Sequence, residues 1–128
     1  MKYDIGLLIL RVGVGATMFF SHGLPKLMNF GQLSQTFPDP IGLGSMLSVL
    51  LAVFAEVFCS LALVAGAFTR FAAIPLVVTM ATALLIVHGG DPWSKRELAF
   101  MFLVPCLSLF FLGGGSLSVD GLMGRRNR

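Results

Sequence analysis

Asp4 to Met28, DIGLLILRVGVGATMFFSHGLPKLM, is the stretch whose reading decides the fold. It is long enough to cross a bilayer as a helix, yet it carries Arg11, His22 and Lys26 inside its apolar run. At about 100° per residue, Arg11, Gly15, His22 and Lys26 project within an arc of roughly 60°, so the ionisable groups share one face with a glycine. The other faces are almost wholly apolar. A charge near mid-membrane costs about 2.5 to 3.5 kcal/mol even on a lenient insertion scale, so this stripe is expected to face protein or a water-filled cavity. Other helices must then supply its partners.

The rest of the chain supplies candidates. Of 128 residues, 56% are hydrophobic and 12% charged, with a mean hydropathy of +0.90, the composition of an integral membrane protein. Apolar segments of bilayer length run over residues 4–28, 47–67, 71–88 and 97–113. They predict an all-α, polytopic four-transmembrane-helix bundle in one domain over residues 1–128. Arg11 interrupts the run after Lys2 and no small-residue cleavage site follows, so the first segment is expected to stay as a span rather than act as a signal peptide. The net charge of +3 comes from basic residues dispersed at segment ends, which argues against nucleic acid and for the lipid bilayer as the main partner. One side would hold Lys2, Arg70, Arg125, Arg126 and Arg128, the other Lys26, Lys95 and Arg96. By the positive-inside rule both termini are expected in the cytoplasm.

Glu56 is the single charge of the second segment, beside Ala52, Cys59, Ser60 and Leu63 on one helical face. Its expected partner is Arg11, with the pair forming a polar pocket floor or only fixing helix packing. Pro25 is expected to kink the first helix near His22 to Lys26. Residues 29–44 read as the main external loop, with room for a short helical turn. Gly66 suits a helix end and Thr69 an N-cap, while Pro75 falls early enough in its helix to be tolerated. Ser94 with Glu97 matches a capping box. Alternatively, Glu97 joins His22, Lys26 and His88 in a charge-balanced cluster at the outer mouth. Cys59 and Cys106 lie inside segments without a CxxC partner and read as buried apolar residues. No metal site is expected, and the ligand patterns of haem, iron–sulfur and nucleotide sites are lacking.

The ordered polar positions resemble those of the DoxX family of small four-helix bacterial membrane proteins. The matching stretches are LILRVGVGATMFFSHGLPKLMNF over residues 8–30, residues 54–70 with Glu56, Gly66 and Thr69-Arg70, His88 with the Trp93 and Glu97 spacing, and Ser118-Val119-Asp120. Pro25 departs from the usual first motif. The resemblance implies a bundle in the bacterial cytoplasmic (inner) membrane and an association with redox systems, since relatives include the membrane subunit of thiosulfate:quinone oxidoreductase. Carried over residue by residue, it singles out Arg11, His22, Lys26, Glu56, Arg70 and Glu97.

The expected function is an accessory or quinone-binding subunit of a membrane redox system. A quinone or other lipophilic ligand would meet Arg11, His22, Lys26, Glu56, His88 and Glu97, and an oxidoreductase would be the partner. The alternatives are a small-solute or proton transporter acting as a homo-oligomer, since ionisable residues inside bundles line pathways, and a structural membrane partner without activity of its own.

Overall fold

Lipid offers no hydrogen bonds, so apolar runs of this length satisfy their backbone groups by becoming helical. In the computed structural model, which describes residues 2–39 and 42–126, they do so. The first rod comprises α1 (Lys2–Met18), a π-helical turn (Phe19–Gly23) and α2 (Leu24–Met28). After α3 (Phe30–Thr36), the second rod joins α4 (Ser45–Val53), a π-turn (Phe54–Cys59) and α5 (Ser60–Ala65). The third joins α6 (Thr69–Thr82) to a π-turn (Ala83–Val87). Among the described residues, these three rods are long and apolar enough to cross a membrane. The long helix α7 (Trp93–Leu112) packs along α6, and α8 (Val119–Arg126) follows a glycine-rich loop.

Helix ends follow local chemistry in some places and tertiary contacts in others. Gly66 ends α5 in the left-handed conformation, φ 73° and ψ 30°, which only glycine adopts without penalty. The irregularity expected at Pro25 takes the form of the π-turn just before it: the rod stays helical through Gly23 and Leu24, and the wider turn precedes a proline that has no N–H to donate back. Thr69 is not an N-cap: Phe68 holds that position. The Asp120 carboxylate accepts from the Phe68 and Thr69 amides at 2.7 and 2.8 Å. Nor does Ser94 cap α7, which begins at Trp93 behind Pro92 with no side-chain cap.

Close contact between the first two rods sets their register. A Cβ on Gly15 would lie 2.8 Å from the Ser60 carbonyl oxygen, and one on Gly23 would strike the Glu56 carbonyl. The main core gathers Met18, Leu63, Leu76 and Leu109 with Cys59 and Cys106, and both cysteines are buried and free, as their positions suggested. A smaller apolar cluster, Val49, Val53 and Val57, is covered by Phe19, Phe30, Leu33 and Phe37. It seats α3 and the chain after it against α4. At the other end of the bundle, Ser116 donates its amide to Asp4 at 2.9 Å, so the N-terminal turn and the loop before α8 lie together.

Candidate functional site

A π-turn inserts one residue into a helix, widening it and rotating everything beyond; such turns recur at functional sites. Among the described residues, His22 lies in the first of these turns and Glu56 in the second, while His88 follows the third. The second and third turns face a cavity of about 360 Å³ between α4 and α6. Ala52, Thr79, Thr82 and Ala83 give it a small-residue wall, and Phe37 and Pro38 close it from the chain after α3. Lys26, Glu56 and His88 bring charge or polarity to an otherwise mainly apolar lining.

Lys26 and Glu56 form the ion pair of this site. Nζ lies 2.5 Å from Oε2, with the Glu56 side chain 3% exposed and that of Lys26 22% exposed. The approach of Gly23 to the Glu56 backbone brings the next turn of the first rod, with Lys26, over the carboxylate. A charge-assisted bond of this kind keeps a carboxylate in a site that would otherwise reject it.

The expected Arg11–Glu56 pair is therefore corrected. Arg11 is fully buried and donates through Nη1 to the Leu63 and Val64 carbonyls, each at 3.1 Å, and through Nη2 to the Leu117 carbonyl at 2.6 Å. The first two carbonyls belong to the last turn of α5, where that of Leu63 also accepts from the Gly66 amide at 3.1 Å and a cation meets the negative end of the helix dipole. Arg11 thus caps one helix and ties the C-terminal loop to it. Glu56 precedes Leu63 by two helical turns, about 10 Å along the axis, beyond what this register lets the guanidinium bridge.

The remaining expected residues divide. His88 lines the cavity, with Nδ1 2.9 Å from Asp91 Oδ2. The His22 ring meets that of Phe102 in a T-shaped contact, with centroids 5.4 Å apart at 82°, on the α7 side. Glu97 is exposed and does not join the outer cluster. Arg96, one residue earlier and about 100° round the helix, faces inward instead, donating Nε to the Leu84 carbonyl at 3.1 Å. It holds the third π-turn. Arg96 and Asp120 went unread as structural residues because their acceptors and donors lie on other elements. No group of histidine, cysteine and carboxylate side chains among the described residues could hold a metal ion.

The DoxX family model matches residues 6–89, the span that carries Arg11, His22, Lys26, Glu56 and His88. The chain belongs to the DoxX family. The DoxX match ends before α7, so Glu97 and Asp120 lie outside it. An uncharacterized protein of Haemophilus influenzae is 29% identical over 127 residues, covering 93% of this chain and 83% of that relative. Inner membrane protein YphA of Escherichia coli is 30% identical over 127 residues, covering 89% of this chain and 87% of its own. No solved structure matches the chain. Family, inner-membrane relative and apolar helices together make this DoxX protein an integral protein of the bacterial inner membrane.

Proposed function

We propose that this DoxX-family protein holds a lipophilic molecule with a polar head group, a quinone being the fitting class, as an accessory subunit of a membrane redox system. The observation that carries this reading is the Lys26–Glu56 pair set into the wall of a mainly apolar cavity of about 360 Å³. Ligand pockets combine such a lining with a few placed polar groups. A quinone carbonyl accepts from the Lys26 ammonium, whose three donors are not all spent on one carboxylate oxygen. Glu56 keeps that ammonium charged and in place, and His88 serves the other polar end. Arg11 and Glu97 have no part in binding on this reading, and His22 stands behind the pair. The redox setting rests on the family resemblance, with α7 as the fourth crossing and both termini in the cytoplasm.

The test is mass spectrometry of lipid-soluble compounds that travel with the purified protein, beside folded Glu56→Gln and Ala83→Phe variants. Ala83→Phe puts a ring into the cavity and leaves the ion pair intact. A stoichiometric quinone in the native protein, absent from both variants at unchanged helix content, is the expected result. Bulk phospholipid alone in all three overturns the quinone assignment.

A further inference from the structure

The opposite end of the bundle carries a second open space. A groove of about 390 Å³ runs between the start of α6 and the glycine-rich loop after α7, lined by Phe68 to Phe71, Leu112 to Gly115, Asp120 and Gly121. Arg70 is exposed in it and has neither a hydrogen bond nor a carboxylate within ion-pair distance among the described residues. Its guanidinium lies across Gly113, where a Cβ would come within 3.3 Å of Nε. The amides of Arg70 and Phe71 belong to the first turn of α6 and have no intrahelical acceptor.

Thr69 adds an independent sign of a missing partner. It is fully buried, yet its Oγ1 makes no hydrogen bond, and it faces Gly114, where a Cβ would sit 2.7 Å away. A buried hydroxyl without a partner is costly unless something reaches it. Asp120 is the one carboxylate in the lining, and both its oxygens are occupied by the Phe68 and Thr69 amides. Arg11 lies behind the loop, its guanidinium against Gly66, whose carbonyl accepts from the Asp120 amide. The fixed charge of Asp120 is thereby offset, and among the described residues Arg70 is left as the uncompensated cation of the groove lining.

We propose that this groove binds the phosphate of one anionic phospholipid, held by Arg70, the free amides at the start of α6 and, once Gly114 gives way, the Thr69 hydroxyl it covers. Phe71 and Leu112, 73% and 57% exposed, give the acyl chain an apolar wall. A groove that sets an exposed arginine beside an apolar wall matches a lipid's own sequence of head group and chain. A soluble anion would have no use for the apolar half.

The experiment is native mass spectrometry of the full chain released from nanodiscs of equal phosphatidylglycerol and phosphatidylcholine content, compared with Arg70→Gln, Thr69→Val and Lys95→Gln. The native protein is expected to retain one phosphatidylglycerol in preference to phosphatidylcholine. Arg70→Gln should weaken that preference about fivefold, and Thr69→Val, which removes only a hydroxyl, by a similar factor. Lys95→Gln, at the far end of α7, should leave it unchanged. Equal retention of both lipids, or a preference untouched by Arg70→Gln in folded protein, overturns the proposal. So does inorganic phosphate binding to the detergent-solubilised chain with no phosphatidylglycerol preference, since the groove would then take a free anion.

Discussion

Lys26 and Glu56 share an ion pair but not its risks. Removing Lys26 leaves a carboxylate that is 3% exposed, whereas removing Glu56 leaves an ammonium that is 22% exposed on a flexible stem and able to turn toward water. Lys26→Met is therefore expected to cost about 3 kcal/mol, the low end for breaking a buried pair. Glu56→Gln should cost clearly less, and the double variant should recover most of the loss. Thermal unfolding of all three in detergent, treated as a double-mutant cycle, measures the coupling; additive losses would mean that the two charges are independent. Arg11 works differently, because its partners are backbone carbonyls rather than a charged side chain. Arg11→Ala removes three hydrogen bonds and should destabilise by on the order of 3 kcal/mol. It should also raise proteolysis within the loop at residues 113–118, and unchanged cleavage there would separate the loop from Arg11.

At the scale of elements, the glycines of the first rod are not equivalent. Gly23 lies against the Glu56 backbone, while nothing lies within 4 Å of a Cβ placed on Gly13. Gly23→Ala should force the rods apart at a cost of about 1 to 3 kcal/mol. Gly13→Ala should be neutral or stabilising by up to about 1 kcal/mol, from helix propensity alone. Melting temperatures of the two variants side by side decide this, and equal shifts would deny the close approach. Asp120 ties α8 to α6 as a cap from a distance. Asp120→Asn keeps one acceptor of two and is expected to cost about 1 kcal/mol. Phe68 makes that cap matter: it holds a left-handed φ of 50°, uncommon for a bulky residue, and its amide is one of the two that Asp120 fixes.

For the whole molecule, the bond between Asp4 and Ser116 puts the beginning of α1 and the loop before α8 at one end of the bundle. A membrane-impermeant thiol reagent should label Lys2→Cys and Met123→Cys from the same side of the membrane and Ser94→Cys from the other. Labelling of Lys2→Cys and Met123→Cys from opposite sides would remove α7 as a crossing.

Hydropathy along the chain determined that the protein is helical and membrane-embedded, and helical spacing determined that Arg11, His22 and Lys26 lie toward protein rather than lipid. Both are properties of a segment read on its own, because lipid imposes them locally. Gly66 was legible as a helix end for the same reason. Which charge meets which was decided only in three dimensions. The pairing of Glu56 with Lys26, of Arg11 with the end of α5, and of Arg96 with a π-turn depends on how far one rod slides past its neighbour. That offset is set by backbone contacts such as Gly23 with Glu56, and each π-turn adds a rotation that a regular helical count does not contain. A chain of apolar helices fits itself at many registers, and only the packed bundle selects one.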